Sequence, residues 1–113
     1  MAKHEGALMR YLGGSSGSGV LQRNGEQIAR ASYDFESYSK KPTGVASSGE
    51  IRLSVAALEN VFGCDGLQLL TDDGRLLDLK FSDRKLLPDS GAAHVDVTGE
   101  SRVKPAGLHH QAA

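Results

Sequence analysis

One cysteine and four histidines are the residues best suited to chemistry, and their neighbours decide what each could do. Cys64 lies in Gly63-Cys64-Asp65-Gly66. A nucleophilic cysteine needs a cation or a helix N-terminus close by to favour the thiolate. Cys64 instead follows the C-terminal end of a predicted helix and precedes an aspartate, the reverse of that setting. A lone cysteine also closes no intramolecular disulfide, so it is read as a small, semi-buried residue. Metal sites need at least three converging ligands, but His4 is near the start and His109 and His110 are near the end. No metal and no cofactor are therefore expected. His94 and Asp96 share one face of a predicted strand, which keeps His94 as a candidate ligand-binding residue and as the first base to consider should Cys64 be a nucleophile. Asp72-Asp73-Gly74 lacks the further spaced carboxylates of a calcium loop and reads as a hairpin. The glycine run at residues 13–19 has no lysine at the place a phosphate loop requires, and it opens no helix.

Aromatic residues beside lysines form the second constellation. Tyr33, Phe35 and Tyr38 precede Lys40 and Lys41, and stacking aromatics with nearby cations is how single-stranded nucleic acid is held. Tyr33 and Phe35 share the strand parity of Ala29 and Ala31, so they belong to a core face. Tyr38 has the opposite parity and is left, with Lys40 and Lys41, as the candidate binding group. The net charge is −1, and residues 19–100 are acidic while both ends are basic. Phosphate-binding domains usually cluster Lys and Arg, so this distribution weakens the nucleic-acid reading.

Such residues must be positioned by short strands. The chain is 113 residues long, enough for one domain, with 14 glycines and no tryptophan. Residues 13–19, all glycine and serine, have linker composition and separate a flexible head and linker (1–18) from a body (19–100) and a disordered tail (101–113). The body opens with a hairpin at Asn24-Gly25, where both residues tolerate positive φ. A two-residue loop there sets Arg23 opposite Glu26, Leu21 opposite Ile28 and Val20 opposite Ala29. The second strand continues through Glu36. A short strand over residues 49–53 leads to Ser54 as N-cap of a two-turn helix with Val55, Leu58, Val61 and Phe62 on one face, stopped by Gly63. In the next hairpin, a two-residue loop would mix leucines with charges on the core face. A three-residue loop with Gly74 left-handed pairs Leu67 with Leu79 and Leu69 with Leu77. A last strand over residues 93–98 points Val95 and Val97 inward and His94 outward.

This order predicts a mainly β fold: a small antiparallel barrel or rolled sheet of about six strands with one short helix between strands three and four. It resembles the oligonucleotide/oligosaccharide-binding barrel, in which a helix plugs the barrel at that place. The resemblance covers residues 19–99 and rests on element order; an SH3-like barrel is the alternative. The functional expectation is a non-catalytic β-barrel module that binds a protein partner or assembles with itself. The alternative is a weak single-stranded nucleic-acid binder, and the third reading is an enzyme using Cys64 or His94. No stretch has the apolar run of a signal peptide or membrane span, so a cytoplasmic setting without membrane contact is expected.

Overall fold

Leucines at alternate positions can be buried together only if their strands curl around a common interior. The computed structural model describes residues 9–40 and 44–102, and there they form six strands and one helix. These are β1 (Met9–Arg23), β2 (Glu26–Lys40), β3 (Gly44–Arg52), α1 (Val55–Val61), β4 (Leu67–Thr71), β5 (Arg75–Phe81) and β6 (Ala92–Arg102). Every pairing is antiparallel, and the sheet closes as β1-β2-β3-β6-β5-β4, with β4 returning to β1. The expected antiparallel fold of about six strands with a helix between strands three and four is therefore present, and of the barrel and the rolled sheet it is the barrel, closed, in an order consistent with the oligonucleotide/oligosaccharide-binding type. Among the described residues no helix is long and apolar enough to cross a membrane.

The β4–β5 hairpin has the register chosen from the side chains, Leu67 opposite Leu79 and Leu69 opposite Leu77. Gly74 sits at φ 90° and its N–H donates to the Thr71 carbonyl at 3.0 Å, which makes the turn. All four leucines are buried, and with Leu21, Ile51 and Val95 they fill the interior. Ser54 caps α1 by accepting from the Ala57 N–H at 3.2 Å. From the helix, Leu58 and Val61 enter the same core and close one end of the barrel.

The β1–β2 hairpin departs from expectation beyond its turn. Asn24 and Gly25 adopt φ 52° and 85°, and Arg23 faces Glu26 as expected. Leu21 then faces Ala29 and Val20 faces Arg30, because the register shifts by one residue and leaves Ile28 unpaired. The reason is parity. Pairing Leu21 with Ile28 would have turned Arg30, Ser32 and Asp34 inward, whereas the bulge turns Ala31, Tyr33 and Phe35 inward, and these three are buried.

A second departure concerns residues 13–19. They are strand rather than linker: β1 begins at Met9 and pairs with β2 from Met9 opposite Lys40 onward. At the other end β6 runs to Arg102, so Ser101 and Arg102 of the expected tail are strand too. Residues 1–8 and 103–113 lie outside the described residues. The glycines have a packing reason. A Cβ on Gly19 would strike the Leu70 carbonyl oxygen, and one on Gly49 would strike the Asp34 carbonyl oxygen and the Phe35 ring. Backbones that approach this closely leave no space for a side chain.

Two stability outcomes are expected. Leu69→Ala or Leu77→Ala should cost about 2–5 kcal/mol. Leu87→Ala, at a side chain 72% exposed, should stay within about 0.5 kcal/mol. Chemical denaturation of the three variants checks this. Gly19→Ala should lower the melting temperature more than Gly14→Ala, since a Cβ at Gly14 meets nothing nearer than 3.4 Å.

Candidate functional site

The end of the barrel opposite α1 is built around a cation. Arg75 opens β5 on the same parity as the buried Leu77 and Leu79, so its side chain starts on the core face and only 18% of it is exposed. Its Nη2 donates to Tyr33 Oη at 3.0 Å and to Ser15 Oγ at 3.1 Å, and its Nε donates to Asp73 Oδ1 at 3.4 Å. Gly17 lies opposite Tyr33, and a Cβ there would come within 3.0 Å of the phenolic oxygen. A glycine at that place lets the Tyr33 ring lie along β1 and reach Arg75. Thr71, the buried polar residue of the core, accepts from the Arg75 N–H at 2.9 Å and donates its hydroxyl to the Asp73 carboxylate.

These contacts set the charges. The Thr71 hydroxyl first, and the Arg75 guanidinium after it, hold the Asp73 carboxyl below the usual carboxylate range. Burial works against the charge on Arg75, but Tyr33 and Asp73 outweigh it and raise its pKa. One residue along, the Arg30 guanidinium makes a two-pronged pair with Asp72 at 2.8 and 2.9 Å and holds that carboxyl down as well. Arg75 lies beside a cavity of about 40 Å³ that Ser15, Ser37, Ser47 and Glu100 also line. That is room for water-sized occupants, against ~300 Å³ or more for a metabolite pocket. A wider, open hollow of about 400 Å³ runs past the Asn24-Gly25 turn. Gln68 Nε2 donates to Asp78 Oδ1 there at 2.7 Å, so these polar groups already satisfy one another.

Beyond the barrel mouth the sheet continues as three strands. β1 pairs with β4 only from Gly19 onward, and β3 pairs with β6 only from Ser47 onward. Among the described residues, residues 9–18 of β1, the end of β2 and residues 44–46 of β3 therefore pair only with one another, although Ser15 and Ser18 still bond to Arg75 and Asp72 and Val45 borders a hollow beside β6. Tyr38 lies here on the outward face, opposite both Tyr11 and Ala46. Its ring packs on Tyr11 with centroids 5.4 Å apart. The Tyr11 hydroxyl hydrogen-bonds to Glu36, which raises the Tyr11 pKa. Tyr11, Leu12 and Val45 are 55%, 52% and 66% exposed, and all three occur at this end of the sheet.

The other residues singled out in the sequence are dispersed. Lys40 ends β2 opposite Met9 and Gly44, and Lys41 lies outside the described residues. His94 is exposed on β6 opposite Glu50. Its Nδ1 meets Ser82 Oγ at 2.6 Å, and its backbone N–H donates to Asp83 Oδ2 at 2.9 Å, so the loop after β5 is fastened to it. Tyr38 and His94 face positions four residues apart on β3, about 13 Å along the strand. Cys64 is half-buried after α1, with Sγ 4.0 Å from the Asn60 carbonyl, so Cys64 and His94 have separate partners. Among the described residues no three His, Cys, Asp or Glu side chains converge as a metal site. Arg75 was missed in the sequence, although a charge at the start of a strand, on the parity of its leucines, is a readable signal. Tyr11 was missed because it fell in the expected head.

No family model, curated protein or solved structure matches this chain.

The Asp72–Asp73 turn should make stability depend on acid. Carboxyls held below their unfolded values stabilise the fold above the unfolded pKa of about 4, and that contribution is lost as pH falls through the lower folded values. The melting temperature should therefore drop on acidification below about pH 4. Asp72→Asn should flatten part of that drop, as read by thermal scans across pH.

Proposed function

We propose that this chain is a non-catalytic binding or assembly module that engages a protein partner through the three-stranded sheet beyond its barrel. The observation that carries this reading is the adjacent pair Tyr11 and Leu12 on β1, both more than half exposed and next to Tyr38, with Val45 exposed on the other face of the same end of the sheet. Apolar groups gathered at such a place gain by being covered, and aromatic residues are common anchors of protein interfaces. The barrel supports this role by rigidity: it fixes the bases of all three strands. The small volume beside Arg75 and the separate partners of Cys64 and His94 also fit a binding role better than catalysis.

Charge on the outer face of β2 and β3 argues against the nucleic-acid alternative. In oligonucleotide-binding barrels that face holds the ligand. Here it carries Asp34, Glu36 and Glu50, and its Arg52 is paired with Glu50 at 2.7 Å. Phosphates approaching it would meet carboxylates.

The test is affinity capture with cross-linking, comparing the chain with a Tyr11→Ser/Leu12→Ser double variant. The double variant should lose the captured protein while keeping its melting temperature. Equal capture by both would overturn the proposed surface. In parallel, titration with a single-stranded oligonucleotide at two salt concentrations should show no binding, and binding that weakens as salt rises would favour the alternative.

A further inference from the structure

Resting on the assembly reading above, we infer that the free edge of β1 is a self-pairing surface, and that its occupant is β1 of a second copy of this chain laid antiparallel across a two-fold axis. The backbone alternation locates the free groups. The Ser18 carbonyl faces β4, where it accepts from the Asp72 N–H at 2.9 Å. Residues two apart in a strand point their N–H and C=O the same way, so those of Ser16 and Gly14 point to that same side. β4 has already turned away there: its last pairing with β1 is Thr71 opposite Gly19. Among the described residues, β1 before Gly19 pairs only with β2. Ser16 and Gly14 thus offer donors and acceptors along an open edge.

Such edges are usually blunted by Lys, Pro or a covering element. From Tyr11 to Gln22 this strand has no charged residue and no proline; its one irregularity before Gly19 is the register shift at Leu12. The absence of charge suits a second copy, since a neutral strand meets its own image without the repulsion that like charges brought together by a two-fold axis would cause. Glycine at 13, 14 and 17 also leaves no side chain to obstruct the approach. With Gly14 opposite Ser16 of the second copy, and Ser16 opposite its Gly14, both edge-facing residues of each copy are used and the pairing is closed by symmetry. The carboxylates Asp34 and Glu36 lie one strand in from the edge. In the pair they would be three strand spacings from their counterparts, about 14 Å, which exceeds the ~8 Å screening length at physiological salt.

Sedimentation and hydrogen exchange test this together. The mass should rise from one chain to two with concentration, and protection of the Ser16 and Gly14 amides should rise with it. Ser16→Pro removes an N–H that faces the free edge and takes no part in the β1–β2 ladder, so it should return the mass to one chain with the circular dichroism unchanged. A wild-type chain that stays single at every concentration overturns self-pairing. So does a dimer in which the Ser16 amide exchanges freely, or one that Ser16→Pro leaves intact while folded. Concentration-independent protection of Ser16 in a single chain would mean that another part of the same chain covers the edge, and it also overturns the inference. The exchange measurement decides the matter even if Ser16→Pro fails to fold. A single-chain result leaves the partner-capture comparison of the Tyr11→Ser/Leu12→Ser variant to judge the wider reading separately.

Discussion

The barrel closes because two backbones come close enough to touch at Gly19. β1 pairs with β2 along its whole length and must also accept β4 on its other side, and at Gly19 it lies against the Leu70 carbonyl. Everything buried depends on that contact. Without the β1–β4 seam, the leucines of β4 and β5 would line an open sheet rather than an interior. Gly19 follows from the same demand, and Gly17 makes room for the Tyr33 ring.

The two ends of the barrel use opposite chemistry. At one end Leu58 and Val61 of α1 cap the core with hydrocarbon. At the other, Arg75 spans from Asp73 to Tyr33 and Ser15 and so ties the β4–β5 turn to β1 and β2. A semi-buried guanidinium is tolerable because its donors meet two hydroxyls and a carboxylate in fixed positions. The polar end thereby becomes a firm base for the projecting strands, whose exposed groups are then presented in a fixed direction.

What could be read from the sequence was whatever neighbouring residues decide between themselves. The β4–β5 register was legible because only one loop length gathers Leu67, Leu69, Leu77 and Leu79 on a single face. The helix was legible from Ser54, its spaced apolar residues and Gly63. The β1–β2 register was not, since the bulge at Ile28 answers to Tyr33 and Phe35 further along and leaves no mark at Ile28 itself. Residues 13–19 misled for a similar reason. Glycine and serine mean a linker when nothing distant is known, and here the distant objects are β2 along the whole run, the Tyr33 ring beside Gly17 and the backbone of β4 beside Gly19. At the candidate site, parity alone put Tyr38 and His94 on outward faces. The Tyr11 ring that Tyr38 packs against could not be foreseen, because it needed β1 to be a strand.

The pairing order also has a consequence for synthesis on the ribosome. The first five strands can pair among themselves as β3-β2-β1-β4-β5, an open sheet whose two outer strands are β3 and β5. The eleven residues of β6 fit between those two strands and turn the open sheet into a barrel. Until they emerge, a nascent chain carries two long unpaired edges beside an uncovered row of leucines, the kind of surface that invites aggregation. The last of the described strands to be made is thus the keystone, and a chain truncated before Ala92 would be left with its arch standing open.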